Sequence, residues 1–331
     1  MRLLVTGGAG FIGSNFIRYI LQNYASYQIV NLDALTYAGN PENVRDVESS
    51  DRYHFIRGRI EDPKAVTEAM VGADAVVHFA AESHVDRSIE DATPFLVTNV
   101  LGTEVLLDAA RKMRVRRFLH VSTDEVYGSL GLNGYFTEES PLRPRSPYAA
   151  SKAAADHLVQ AYAIMYELPV VIARPSNAYG PYQYPEKFIP LLVTNALDDR
   201  TLPIYGTGEN VREWVYVQDL CRAFDLLLHE GRPGQAYNVG GQAGAANLEV
   251  ARLILGLLGK PGSLITFVPD RPAHDFRYAL DSGIMKRELG WEPTVCLEEG
   301  LKQVVAWYED RRDWWERVKE RLQRESRGYW S

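Results

Sequence analysis

Five residues in the middle of the chain have the types and spacing that acid–base chemistry needs. Thr123, Asp124 and Glu125 follow directly on the apolar segment FLHVS, and Tyr148 and Lys152 occur downstream in SPYAASK. A tyrosine and a lysine four residues apart share one face of a helix. A phenol is ionised to only about one part in a thousand at neutral pH, a deficit of about 4 kcal/mol that a nearby ammonium reduces. The spacing predicts that Tyr148 removes a hydroxyl proton, whereas an acidic pair after a strand is by itself also typical of an exposed turn.

A glycine-rich turn near the N-terminus has the features of a dinucleotide site. In RLLVTGGAGFIGSNF, Gly7, Gly10 and Gly13 come directly after an apolar segment and at the start of a helical pattern. Such glycines let backbone amides approach a pyrophosphate, and the helix that begins near Phe11 directs its partial positive charge at that group. Asp33 ends the next apolar segment, QIVNLD, where a carboxylate accepts hydrogen bonds from ribose hydroxyls and repels a 2′-phosphate. The pattern predicts NAD rather than NADP.

Alternating strands and helices must position these residues. Short β-branched segments predict strands over 2–6, 28–32, 53–57, 74–79, 116–121 and 169–174. Apolar residues at spacings of three and four predict helices over 12–24, 63–70, 92–112 and 148–167. The alternation predicts an α/β fold with a Rossmann-type doubly wound parallel sheet. Because successive strand residues face opposite ways, Asp124 and Glu125 reach one substrate together only if the strand ends near Ser122.

The second half of the chain predicts a smaller domain. From about residue 175 the alternation weakens, and Pro and Gly become frequent. We therefore assign residues 1–174, approximately, to an NAD-binding Rossmann domain. Residues 175–331, approximately, form a smaller mixed α/β substrate domain, with segments that return to the first domain.

Composition limits the functional classes. The chain has 331 residues, 46% of them hydrophobic, and a formal charge of -7 from 36 basic and 43 acidic side chains. This balance argues against broad nucleic-acid binding, and no apolar run is long enough to span a bilayer. Cys221 and Cys296 lie far apart without metal-ligand spacing, so the sequence predicts no disulfide framework and no metal site. The chain starts with the strand-like MRLLVTG rather than a leader pattern, and we expect a cytoplasmic protein.

Eight sequence blocks resemble, in order, those of the dTDP-glucose 4,6-dehydratase family, a branch of the extended short-chain dehydrogenases/reductases. The blocks are TGGAGFIGSNF, DALTYAGN, AAESHVDRSI, STDEVYG, YAASKAAAD, RPSNAYGPYQYPEKFIP, NVREWVYVQD and DRPAHDFRYALD. The resemblance covers nearly the whole chain. Its most specific element is the triplet at 123–125, because the related 4-epimerases generally have small neutral residues in place of Asp124 and Glu125.

The resemblance implies an NAD-dependent lyase that converts dTDP-glucose to dTDP-4-keto-6-deoxyglucose. Tyr148 would remove the 4-hydroxyl proton, with Thr123 hydrogen-bonding that hydroxyl, as a hydride passes from C4 to tightly held NAD. The C4 ketone acidifies C5, so Glu125 would remove the C5 proton while protonated Asp124 assists loss of the C6 hydroxyl as water. Two close carboxyl groups favour one shared charge, as this division requires. Return of the hydride to C6 and of a proton to C5 regenerates NAD in each turnover.

Two sets of binding residues also follow from the resemblance. Cofactor contacts are expected from Gly7, Gly10, Phe11, Ile12, Gly13, Asp33, Leu35, Thr36, Ile60, Ala80, Ala81, Tyr148 and Lys152. Substrate contacts are expected from Ser83, Thr123, Asn177, Lys187, Phe188, Pro203, Tyr205, Arg212, Asn247, Arg271 and His274. Arg59, Ala178 and Phe276 depart from the family pattern, in which an aspartate, an asparagine and an arginine are frequent. These departures bear on the substrate subclass.

Two classes of alternative stay open at this point. The first is another nucleotide-sugar enzyme of the same family: a UDP-sugar 4-epimerase, a decarboxylase, or a 4,6-dehydratase of a different nucleotide. The second is a dinucleotide-binding regulator without catalysis. Asp124 and Glu125 argue against the epimerase, and the intact Tyr148 and Lys152 argue against the regulator. No motif separates thymine from uracil.

The resemblance also predicts a homodimer. The helices predicted over 92–112 and 148–167 would form its interface. The second of them carries apolar and small side chains that permit close helix packing: Ala149, Ala153, Leu158, Ala161 and Met165. The alternative is that these positions all face the sheet.

Overall fold

Seven parallel strands form the central sheet of the computed structural model, which describes residues 1–241, 244–272 and 274–325. These strands are β1 (Arg2–Thr6), β2 (Gln28–Asp33), β3 (Tyr53–Arg57), β4 (Ala75–His78), β5 (Arg117–Val121), β6 (Val170–Pro175) and β10 (Ala236–Val239). Their order across the sheet is β3-β2-β1-β4-β5-β6-β10. The order reverses between β1 and β4, where parallel sheets form ligand crevices at the carboxyl ends of their strands.

Helices cover both faces of this sheet. On one face lie α1 (Phe11–Asn23) and α8 (Val217–Glu230), and on the other α2 (Pro63–Met70), α5 (Thr103–Met113) and α6 (Pro147–Tyr166). The helix expected over 92–112 consists of α4 (Thr93–Phe95), a π-helical segment (Leu96–Gly102) and α5, in direct succession. A short helix, α3 (Val85–Glu90), precedes them. The predicted fold class is confirmed, and the predicted strands and helices of the first half match the observed ones to within about two residues.

The second half of the chain builds a further apolar core beside the sheet. Its strands are β7 (Asn177–Tyr179), β8 (Leu202–Tyr205), β9 (Val211–Tyr216), β11 (Gly244–Ala246) and β12 (Ile265–Val268). Its helices are α7 (Phe188–Leu197), α9 (Asn247–Leu258), α10 (Gly283–Leu289), α11 (Leu297–Asp310) and α12 (Arg312–Glu325). Side chains of α7, α9, α11 and α12 fill this core, whereas β10 and α8 belong to the central sheet. The division of the chain at about residue 174 stays a prediction.

Capping residues in the sequence position the candidate catalytic residues after the end of β5 and at the start of α6. β5 ends at Val121, and the side chain of Thr123 accepts a hydrogen bond from the Glu125 amide, which caps a 3₁₀ turn over Asp124–Tyr127. Ser146 caps α6 in the same way, with Pro147 in the first turn, where its missing N–H costs nothing. Tyr148 therefore lies in the first turn of α6. None of the described helices is long and apolar enough to cross a membrane.

Candidate active site

The glycine-rich turn joins β1 to α1 at the point where the strand order reverses. Gly7 has a positive φ of 71°, and a Cβ there would lie 2.7 Å from the backbone of Ala80, which follows β4. Only glycine permits both this conformation and this approach. A Cβ at Gly13 would likewise collide with the carbonyl oxygen of Gly7. The turn thus leaves open backbone at the amino end of α1, as binding of a pyrophosphate requires.

Asp33 ends β2 beside this turn. Its carboxylate accepts hydrogen bonds from the backbone amides of Ala9, at 2.9 Å, and Leu35, at 2.8 Å. Burial raises the pKa of Asp33, and the two amides partly offset that effect. A carboxylate fixed beside the open turn fits the hydroxyls of an unphosphorylated ribose, so the residues present fit NAD.

One cavity contains almost all residues predicted to contact the cofactor. Its lining includes Gly7, Gly10, Phe11, Ile12, Gly13, Asp33, Thr36, Ile60, Ala80, Ala81, Tyr148 and Lys152. Leu35 is not part of this lining; its backbone holds Asp33, with a positive φ of 52°. Arg59, one of the departures from the family pattern, also lines the cavity and pairs with Glu61 at 3.1 Å.

The same cavity passes the carboxyl end of β5, where the five candidate catalytic residues meet. Thr123, Asp124, Glu125, Tyr148 and Lys152 all line it. The condition set by strand geometry is met, because β5 ends before Ser122 and the 3₁₀ turn brings both carboxyl groups into one space. The sequence alone could not choose between this arrangement and an exposed acidic turn.

The two carboxyl groups have unequal surroundings. Asp124 is buried, one of its carboxyl oxygens has no hydrogen-bond partner within the described part of the chain, and Thr123 donates to the other at 3.2 Å. Burial and the charge of Glu125 raise the pKa of Asp124 well above its usual range. Burial also raises the pKa of Glu125, but Arg271, Arg212 and Lys187 act against that rise. The pair therefore favours a proton on Asp124 and a charge on Glu125.

Tyr148 and Lys152 both lie near the start of α6 and line the first cavity, and their surroundings differ. The Lys152 ammonium donates a hydrogen bond to the carbonyl of Val121 at 2.8 Å, and burial lowers its pKa to about 8. Burial and the charge of Glu125 raise the pKa of Tyr148, while a hydrogen bond with Thr123 lowers it. The lowering of the phenol pKa by Lys152 that the spacing indicates stays a prediction.

A second cavity adjoins the first and contains the expected substrate residues. Its lining includes Ser83, Asn177, Lys187, Phe188, Pro203, Tyr205, Arg212, Asn247, Arg271 and His274. Of the expected set only Thr123 lies outside it, in the first cavity. Glu125 lines both cavities, so the carboxylate lies where the two spaces meet.

The second cavity is lined by three cations and three carboxylates: Lys187, Arg212 and Arg271, and Asp86, Glu125 and Glu186. The buried Arg212 donates to the carbonyls of Val211, at 2.8 Å, and Asp275, at 2.9 Å, and makes no ion pair with the residues that the structure describes. The Lys187 ammonium donates to the carbonyl of Ser83 at 2.7 Å. Such cations, held by neutral oxygens, leave their charge available to an anionic ligand.

Sequence reasoning missed several residues of this cavity. Asp86 pairs with Arg271 at 3.3 Å, and Glu186 pairs with Arg87 at 2.9 Å. Tyr278 places its ring 4.5 Å from the guanidinium carbon of Arg212. Asp86, Glu186 and Tyr278 line the cavity, and each lies inside a family block quoted above. Membership of these blocks is the signal that could have found them.

The other two departures from the family pattern lie in different surroundings. Ala178 lines both cavities, whereas Phe276 is more than a third exposed.

The chain is similar over almost its whole length to proteins of known activity. Residues 4–304 match the family model described as GDP-mannose 4,6 dehydratase. The dTDP-glucose 4,6-dehydratase of Streptomyces niveus is 50% identical over 323 residues, covering 96% of this chain and 96% of that protein. The crystal structure of DesIV, a dTDP-glucose 4,6-dehydratase from Streptomyces venezuelae with NAD and dTDP bound, has a TM-score of 0.94 and 51% identity. It covers 96% of this chain and 100% of its own.

The chain belongs to the dTDP-glucose 4,6-dehydratase family. The family resemblance predicted from the eight sequence blocks is therefore confirmed. UDP-glucose 4-epimerase from Thermus thermophilus, in complex with NAD, shares the fold at a TM-score of 0.87 but is only 32% identical, over 94% of this chain and 100% of its own. The sequence identity of this chain to the two dehydratases, 50% and 51%, is therefore higher than its identity to the epimerase.

Proposed function

We propose that the protein is an NAD-dependent lyase that converts dTDP-glucose to dTDP-4-keto-6-deoxyglucose. The observation that carries this proposal is the carboxyl pair Asp124 and Glu125, which shares one cavity with Thr123 and Tyr148. Their surroundings favour one protonated and one ionised group. Removal of a C5 proton together with loss of a C6 hydroxyl requires this combination of a base and an acid.

We assign each proton transfer of the reaction to the catalytic side chain whose position allows it. NAD, when bound, accepts the hydride of C4 and returns it to C6. Tyr148, hydrogen-bonded with Thr123, takes the proton of the 4-hydroxyl. Glu125, at the junction of the two cavities, then takes the proton of C5, and Asp124 gives its proton to the departing C6 hydroxyl. Glu125 returns its proton to C5 in the final reduction, and the proton that Tyr148 took is passed to Asp124 through solvent, so that both groups regain their starting states.

The lining of the second cavity supports a substrate that carries a nucleoside diphosphate group. Arg212, Arg271 and Lys187 line it and supply positive charge for phosphate oxygens. Phe188, stacked 6.0 Å from the Trp214 ring, and Pro203 give it an apolar wall for a base. The substrate therefore lies with its nucleotide in the second cavity and its glucosyl ring at Glu125.

The decisive experiment incubates the purified protein separately with dTDP-glucose and UDP-glucose and compares product masses. We expect dTDP-glucose to lose one water without net consumption of NAD, and the denatured supernatant to contain nicotinamide. Tyr148→Phe serves as the control and should yield neither product nor NADH. A product of unchanged mass with inverted C4, or NAD consumed in proportion to product, would contradict the proposal.

We propose further that the protein is a cytoplasmic homodimer. Two neighbouring helical elements expose apolar side chains: Leu96, Val97 and Leu101 in the segment over 93–113, and Ile164 and Met165 in α6. Of the residues expected at this interface, Ala149 and Ala153 are buried, whereas Ala161 and Met165 are exposed. The interface that we propose therefore uses the outer side of α6. Cys221 and Cys296 are both unpaired, which fits a reducing compartment.

A further inference from the structure

The C-terminal helix α12 contacts the loop that follows β2. We call residues 34–44 the cofactor loop, because Ala34, Thr36, Ala38 and Gly39 line the cofactor cavity. The indole N–H of Trp314 donates to the side-chain oxygen of Asn43 at 3.0 Å. Arg317 pairs with Glu42 at 2.8 Å, and Arg321 donates to the carbonyl of Thr36 at 3.0 Å. The spacings of three and four residues place 314, 317 and 321 on one face of α12.

One of these contacts continues into the glycine-rich turn. Because the oxygen of the Asn43 side chain accepts from Trp314, its NH₂ group points the other way and donates to the carbonyl of Ala9 at 2.9 Å. Ala9 lies between Gly8 and Gly10, and its own amide donates to Asp33. Asn43 is 1% exposed and Trp314 is 6% exposed, so water does not compete for these bonds.

The opposite face of α12 is anchored elsewhere. The indole N–H of Trp315 donates to the carbonyl of Tyr308 in α11 at 2.8 Å. Lys319 donates to Asn195 at 3.1 Å, and Arg312 pairs with Asp198 at 2.9 Å, at the end of α7. The helix is therefore held on the second core while its other face reaches the cofactor loop.

We propose that α12 clamps the cofactor loop and that Trp314 is a positioning residue for NAD, acting through Asn43 on the glycine-rich turn. Trp314 does not line the cofactor cavity, so its effect is to hold the loop in the conformation that binds. A loop that is ordered before binding loses less conformational freedom on binding, and this raises affinity. The proposal rests on the proposed use of NAD.

The test compares Trp314→Phe with Trp315→Phe, two neighbouring substitutions that each remove one buried indole N–H. The readouts are the dissociation constant for NAD, titrated into cofactor-stripped protein without sugar nucleotide, and amide hydrogen exchange over residues 34–44. For Trp314→Phe we expect NAD binding weakened about five- to tenfold, from loss of one buried hydrogen bond, and faster exchange in the loop. Trp315→Phe should match the wild type in both readouts.

A second pair of variants tests the route through Asn43. Asn43→Ala should weaken NAD binding at least as much as Trp314→Phe, and the double variant should be no weaker than Asn43→Ala alone. Equal NAD affinity in wild type and Trp314→Phe, or equal weakening by Trp315→Phe, would overturn the clamp. A wild-type protein that binds no NAD would instead overturn the proposed function. Titration of dTDP, which should be unchanged in every variant, controls for folding.

Discussion

At the scale of single residues, the two members of the acidic pair face different neighbours. Three cations act on Glu125, whereas Asp124 faces Glu125 and Glu213 and has Arg212 as its counter-charge. Burial alone would raise both pKa values together. The cations act against the rise at Glu125, and this supports the proposal that Asp124 holds the proton and that Glu125 is the base.

Substitution of either carboxyl group should separate the stages of the reaction. Glu125→Gln keeps size and polarity but cannot act as a base, so oxidation at C4 should proceed and bound NADH with a 4-keto-glucose nucleotide should persist. Exchange of the C5 hydrogen and loss of water should slow about 10² to 10⁴ fold. Asp124→Asn should also permit oxidation, but C5 exchange in deuterated water should suffer less than dehydration.

Single-turnover absorbance of bound NADH, combined with mass analysis of the quenched nucleotide sugar, distinguishes these stages. Tyr148→Phe is the reference, since it should block oxidation and show no NADH. Dehydration at the wild-type rate in Glu125→Gln would mean that another group removes the C5 proton. The epimerase alternative would then have to be reconsidered.

At the scale of elements, a polar cluster joins the ends of α1 and α8. The Asp225 carboxylate in α8 accepts hydrogen bonds from the hydroxyls of Tyr24, at 2.9 Å, and Tyr19, at 3.3 Å. His229 pairs with the same carboxylate at 3.0 Å and with the Tyr27 hydroxyl at 2.8 Å. Hydrogen bonding to Asp225 raises the pKa of His229, which lies in the last turn of α8, where a cation is also favoured by the helix dipole.

This cluster predicts a pH-dependent contribution to stability. Because the folded pKa of His229 is raised, its contribution is fully present below the unfolded pKa of about 6.5 and is lost as pH rises through the folded pKa. His229→Gln should therefore lower the free energy of unfolding by about 0.5–1 kcal/mol more at pH 5.5 than at pH 9, a small value because solvent screens the pair. Urea unfolding at the two pH values measures the difference.

Asp225→Asn provides the control for this effect. Without the carboxylate, His229 loses the group that raises its pKa, so His229→Gln in that background should show little difference between the two pH values. An equal destabilisation by His229→Gln at both pH values in the native background would show that the histidine contributes by packing rather than by charge.

At the scale of the whole molecule, the proposed dimer would cover exposed apolar side chains on the outer helices. Leu101 is 51% exposed and Ile164 is 80% exposed, on adjacent helical elements that cover one face of the sheet. Single exposed apolar residues are ordinary, and it is their occurrence on neighbouring helices that supports the proposed interface. We expect Leu101→Lys to convert the dimer to a monomer, because a lysine in the closed interface would be buried without a partner.

Light scattering at micromolar concentration measures the change in mass. Leu132→Lys is the matched control, since Leu132 is 79% exposed on a loop outside these helices and should leave the dimer intact. A wild-type protein that is monomeric at this concentration would contradict the proposed dimer. A Leu101→Lys variant that remains dimeric would place the interface elsewhere.

Local spacing was enough to predict much of this protein. The alternation of strands and helices, the glycine-rich turn with Asp33, and the placement of Tyr148 and Lys152 on one helix all follow from periodicity and capping. These features depend on residues close together in the chain, so the sequence determines them directly. The family blocks added the residues of the second cavity, which no periodic pattern indicates.

Packing between distant parts of the chain decided the rest. Asp86 meets Arg271, and Trp314 reaches Asn43, across separations in sequence that no local pattern spans. The pKa shifts of Asp124 and Glu125 depend on burial and on cations brought from β9 and the segment around 271. Ala149 and Ala153 point inward on the same helix whose Ile164 and Met165 face out. Charge, burial and exposure are properties of the assembled tertiary structure, because each depends on what surrounds a side chain in space rather than in sequence.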